Sequence, residues 1–142
     1  MGGGPEVKPT GIGREGSQVS GKSRTEVCVR ASLLADADLR FSIARGLCRL
    51  EPQIDFLSSQ IPDAASDPNV LAMAASLGRV LVSHDFKTMP GHLYRFIKLQ
   101  RSPGVILIPQ ALSTGRAVDE LRLAWLCNDL AEFQSRIIYL PL

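Results

Sequence analysis

From Val27 onward the chain alternates two patterns. Short, continuously apolar runs give way to longer stretches whose apolar positions recur every three or four residues. The first pattern predicts strands buried on both faces, and the second predicts amphipathic helices. Val27 to Asp36 reads as a first strand, β-branched at its start and apolar toward its end. Leu39 to Leu50 reads as a helix with Ile43, Leu47 and Leu50 on one face. Gln53 to Ser58 is a short second strand, and Ile61 to Ser66 a loop. Pro68 to Leu77 is a helix with Val70, Leu71, Ala74 and Leu77 inward, stopped by Gly78. Arg79 to Ser83 is a third strand. Met89-Pro90-Gly91 opens a helix over Leu93 to Leu99, and Pro103-Gly104 breaks the chain before a fourth strand, Val105 to Pro109. Thr114 caps a long helix from Ala117 to Leu126, continuing toward Phe133, and Arg136 to Leu140 is the last strand. Trp125 and Phe133 fall among apolar residues and read as core.

The order β-α-β-α-β-α-β-α-β places a parallel sheet between helical layers. The predicted fold is therefore a three-layer α/β/α sandwich with a central, mostly parallel sheet of four to five strands. At 142 residues the chain suits one domain with one core. Residues 1–26 are rich in Gly, Ser, Lys and Glu and almost devoid of large apolar side chains. They cannot bury enough surface to offset their ordering entropy, so they read as a disordered tail ahead of a domain over 27–142.

Charge and cysteine usage narrow the classes. The formal net charge is +2, and the first 30 residues account for it, so the remainder sums to zero. No strong electrostatic signature of nucleic-acid binding is present, although a small basic patch is compatible with zero net charge. Three cysteines without a Cys-x-x-Cys spacing argue against a disulfide framework or a structural zinc site, and for reduced thiols in a cytoplasmic protein. No apolar run approaches the roughly 20 residues that span a bilayer, and the N-terminus lacks a signal-peptide core.

The candidate chemistry lies where apolar runs end in acids. Asp36 ends the first strand and Asp85 the third, while Asp67 opens the helix before that third strand. Ligands and metals bind at the carboxyl ends of parallel strands. Carboxylates that converge there suit a hard divalent cation such as Mg²⁺ or Mn²⁺. Each acid also has a local explanation. Asp36 or Asp38 can cap the following helix, and Asp67-Pro68 is a good helix start in itself. Alternation places Ser83 on the same side as Asp85, as a supporting hydrogen-bond donor, and His84 on the other, as a packed or solvated residue rather than a ligand. Lys87, Arg95, Lys98 and Arg101 follow the site. The last three form a stripe that reads first as a solvated face and second as a phosphate track.

Leu33-Leu34-Ala35-Asp36, then Ser66-Asp67-Pro68-Asn69-Val70-Leu71-Ala72, then Gly78-Arg79-Val80-Leu81-Val82-Ser83-His84-Asp85 resemble the PIN-like domain family. The likeness is to a compact bacterial branch related to VapC-like toxin ribonucleases, and it covers residues 32–142. The Thr88-Met89-Pro90 turn and the ending from Arg136 to Leu142 share it. The resemblance implies a metal-dependent ribonuclease, with Asp36, Asp67 and Asp85 as the catalytic acids around Mg²⁺ or Mn²⁺. It also implies an RNA substrate and a cognate antitoxin protein, and a homodimer stays open. Two departures stand out. The stretch from Glu51 to Asp67 is too short for the helix that carries a further acid, and Lys87 occupies a position where the family often has another. Asp38 is the residue able to compensate. The alternative is a degenerate, non-catalytic PIN-like module that binds a protein or RNA. Asp36-Ala37-Asp38 also has the Asp-x-Asp form of haloacid dehalogenase phosphatases, with Asp119-Glu120 as the sole adjacent acidic pair. A response-regulator receiver is set aside, because no Lys closes the last strand.

Overall fold

The computed structural model describes residues 29–59 and 66–142, with backbone alone for Ser66 and Asp67. The proposed tail, the start of the first predicted strand and the loop over 61–65 lie outside the described residues. The elements are β1 (Leu33–Ala35), α1 (Phe41–Leu50), β2 (Phe56–Ser58), α2 (Ser66–Leu77), β3 (Val80–Ser83), α3 (Met89–Ile97), β4 (Val105–Leu107), α4 (Thr114–Cys127), α5 (Leu130–Phe133) and β5 (Ile137–Tyr139). The five strands form one all-parallel sheet in the order β2-β1-β3-β4-β5. Helices cover both faces, so the three-layer α/β/α sandwich read from the sequence is the fold.

Strand alternation divides the core in two. Leu33, Ala35, Val80, Val82, Ile106 and Ile108 face α1 and α4, where they meet Ile43, Leu47, Leu121 and Trp125. Leu34, Leu81, Val105 and Leu107 face α2 and α3, meeting Val70, Leu71, Met89 and Leu93. Gly46 lets α1 and α4 approach closely, since a Cβ there would lie 2.8 Å from a Val118 methyl. At the amino end of the sheet the Arg79 fork grips both carboxylate oxygens of Asp55 at 2.9 Å and reaches the Leu33 carbonyl at 3.1 Å. The Trp125 indole donates to the Ala31 carbonyl at 2.8 Å, tying α4 to the entry of β1.

The expected boundaries shift in several places. The strands are three or four residues long, shorter than the apolar runs that contain them, although flanking residues such as Asp36 and Ile108 still hydrogen-bond to the neighbouring strand. Leu50 and Leu77, expected inward, are 49% and 47% exposed at the last turns of their helices, where the sheet no longer reaches them. Ser113, not Thr114, caps α4 by accepting the Arg116 N–H. The predicted long helix breaks at Asn128. A capping box between Asp129 and Glu132 then starts α5, a signal already present in the spacing Asp129-x-x-Glu132.

Candidate active site

The sheet order reverses between β1 and β3: from β1 the chain steps outward to β2, then crosses back to β3 on the other side. The crevice at the carboxyl ends of two such strands is the usual ligand site of an open parallel sheet. Asp36 follows the last residue of β1, and Ser83 is the last residue of β3. The register pairs Ala35 with Val82, so the two strands end level with one another.

Ser83 is fully buried, and its hydroxyl is the hub of the site. It donates to Asp36 Oδ2 at 2.8 Å and lies 3.3 Å from Asp38 Oδ1. It also accepts the Asp85 N–H at 3.0 Å. One hydroxyl carries one proton, so it serves one carboxylate at a time. Asp38 Oδ1 receives in addition the His84 backbone N–H at 3.3 Å, and Asp36 Oδ1 receives the Ala37 N–H at 2.8 Å. Neither acid caps α1, whose N-cap is Arg40 without a side-chain hydrogen bond. The capping explanation for Asp36 and Asp38 therefore does not describe them.

Asp85 behaves differently. Its carboxylate folds back on its own turn, accepting the N–H groups of Lys87 and Thr88 at 3.0 and 2.8 Å and the Thr88 hydroxyl. Burial pushes this carboxyl up. The Thr88 and Lys87 donors and the nearby His92 outweigh that effect and hold it below the ordinary carboxylate range. Asp85 thus braces the entry to α3. Lys87 contributes its backbone N–H to that brace and exposes its side chain.

His84 is buried, so of the packed and solvated alternatives the structure has the packed one. Its Nδ1 donates to the Ile108 carbonyl at 2.8 Å and its Nε2 accepts the Arg40 N–H at 3.3 Å. Both ring nitrogens are engaged, which makes the ring a structural pin between the ends of β3 and β4 and the start of α1. Asp67 lies in the first turn of α2, one residue inside the helix start rather than ahead of it. Because α2 runs antiparallel to the sheet, that turn stands at the carboxyl end of the strands. Among the described residues no three His, Cys, Asp or Glu side chains group as a metal site. The structure thus joins Asp36 with Asp38 through Ser83, and leaves the Asp85 carboxylate in its turn. Asp119 and Glu120 add no third group: Asp119 is exposed, and Glu120 accepts the Leu142 N–H at 2.9 Å beside Arg116.

Beside Asp36 opens a cleft of about 360 Å³ between α1 and β2, whose walls include Phe41, Arg45, Cys48 and Phe56. Burial raises the Cys48 thiol above its usual range, so it is a poor nucleophile there. No local pattern marks this cleft, because its two walls come from separate elements. No helix among the described residues is long and apolar enough to cross a membrane. No protein-family model matches the chain, and no curated protein or solved structure is significantly similar to it.

Proposed function

We propose that this protein is a PIN-like, Mg²⁺- or Mn²⁺-dependent ribonuclease whose metal-holding pair is Asp36 and Asp38. One observation carries the proposal: two carboxylate oxygens from the turn that follows β1 lie within 3.3 Å of the buried Ser83 hydroxyl, at the point where the sheet order reverses. Carboxylate oxygens are hard donors, and their convergence at the carboxyl ends of two neighbouring strands is the donor set a hard divalent cation fits. Asp67, whose backbone lies in the first turn of α2 at the same end of the sheet, is the further acid that the sequence resemblance implies. A bound cation would acidify a water and offset charge on the phosphate. Ser83 orients Asp36, and the Asp85 turn holds the end of β3 so that Ser83 stays in place. A toxin acting against a cognate antitoxin is the setting that the sequence resemblance suggests.

The test is cleavage of a single-stranded RNA with Mg²⁺ or Mn²⁺, wild type against Asp36→Asn. Metal-dependent cleavage lost in the variant supports the assignment. Absence of cleavage, or equal cleavage by both proteins, rejects it. A second reading, a non-catalytic module that binds RNA or protein, is favoured by one observation: the Asp85 carboxylate is consumed by Thr88 and Lys87. Unchanged thermal stability on adding Mn²⁺ would select that reading, since a ligand bound only to the folded state must raise it.

A further inference from the structure

Large aromatic side chains in this protein are not all spent on the core. Phe41 is 71% exposed, Tyr139 50% and Phe86 39%. All three stand at the carboxyl end of the sheet. Phe41 begins α1 just after Asp36 and Asp38, Phe86 follows Asp85, and Tyr139 ends β5. They flank the acidic pair on both sides. Phe41 forms a rim of the cleft beside Asp36, while Phe86 and Tyr139 meet in a tilted contact, with ring centroids 5.7 Å apart and 42° between their planes. Cations accompany them. The Arg45 guanidinium lies 5.6 Å from the Phe41 ring, and exposed Lys87 follows Phe86 directly. An isolated exposed aromatic is ordinary, but three at one end of the sheet, one of them beside a guanidinium, are not scattered singly.

Rings that offer a face, interleaved with cations, are the means by which proteins hold unpaired bases and their phosphates without reading sequence. Duplex nucleic acid keeps its bases stacked inside and offers such rings nothing to stack on. We infer that the carboxyl-end rim is a platform for a single-stranded polynucleotide. One base would stack on Phe41 in the cleft, the strand would pass over Asp36 and Asp38, and a later base would rest on the Phe86–Tyr139 pair. The choice of polynucleotide as occupant rests on the nuclease reading, and the cations beside the rings support it through charge complementarity.

Binding is read separately from cleavage. A fluorescent 15-mer oligouridine is titrated into Asp36→Asn protein without divalent metal, then into the same protein carrying Phe41→Ala, Tyr139→Ala or Arg45→Ala. The expected result is a Kd weakened about 5- to 100-fold for each aromatic change. Phe41→Trp should restore binding, Arg45→Ala should flatten the salt dependence, and a 15-base-pair duplex should bind more weakly than the single strand. A 15-mer oligodeoxythymidine binding as well as the RNA would place selectivity for RNA elsewhere while supporting the platform. Unchanged Kd in both aromatic variants, equal duplex binding, or no binding of either oligonucleotide overturns the inference, and the last outcome assigns the surface to a protein partner. Asp36-dependent cleavage with aromatic-independent binding would reject the platform and keep the nuclease. Aromatic-dependent binding without cleavage would do the reverse.

Discussion

β1 and β3 lie side by side in register, and each ends in an aspartate within two residues of its last ladder position. The two acids are nonetheless used in opposite ways. Asp85 is followed by Phe86-Lys87-Thr88, whose N–H groups and hydroxyl fold back onto its carboxylate. After Asp36 the chain also turns, but the Leu39 N–H goes to the Asp36 backbone carbonyl at 3.0 Å. The Asp36 carboxylate accepts the adjacent Ala37 N–H with one oxygen and reaches across to Ser83 with the other. A strand-end acid is thus a local brace when donors follow it at two and three residues. It becomes a cross-strand group when the backbone closes the turn without it.

Cleavage should separate the two strand ends most widely. Asp36→Asn and Asp38→Asn are each expected to lower metal-dependent RNA cleavage by at least about 100-fold, while Asp85→Asn, acting through the turn, should cost about 10-fold or less. Initial rates on one single-stranded RNA would show this, and equal losses at Asp36 and Asp85 would break the contrast.

Stability should order the same residues the other way. Removing the brace with Asp85→Ala should cost about 1–2 kcal/mol, the usual loss for a capping side chain. Asp38→Ala, at an exposed position, should stay within about 0.5 kcal/mol. Urea midpoints at unchanged slope measure both. The pH dependence sharpens the point. The folded pKa of Asp85 is lowered, so its contribution is complete above the unfolded value of about 3.9 and is lost as pH falls through the lower folded value. The stability gap between wild type and Asp85→Ala should therefore be constant near neutrality and narrow below about pH 4. A gap that widens on acidification would contradict the brace.

The smallest effect concerns the hub. Ser83→Ala combined with Asp36→Ala should be non-additive by about 0.5–1 kcal/mol, because one charge-assisted hydrogen bond is removed twice. Ser83→Ala with Lys98→Ala should add within about 0.3 kcal/mol.

Much of the fold was legible because hydrophobic period is a local property. The buried runs around Leu33–Ala35, Val80–Ser83 and Val105–Leu107, and the faces carrying Ile43, Leu47, Val70 and Ala74, are where the pattern put them. The failures occur where local pattern and tertiary reach part company. Leu50 and Leu77 continue their helical stripes beyond the end of the sheet. Thr114 and Ser113 offer the same capping chemistry, and only the backbone path selects between them. At the site, the positions of Asp36, Asp38 and Asp85 at strand ends were readable, and Asp85-x-x-Thr88 carried an overlooked turn signal.

Local pattern is enough to dictate that strands alternate with helices, that the central strands are buried on both faces, and that acids stand where they end. Those properties follow from the spacing of apolar residues within a few positions of one another. The closed fold is what makes β1 a neighbour of β3 and brings Ser83 to an aspartate 47 residues away. It alone separated a shared acidic pair from a self-contained turn. The physical reason is range. Strand order and the competition among hydrogen-bond donors depend on distances between segments far apart along the chain, and those are set only when the sheet closes its layers.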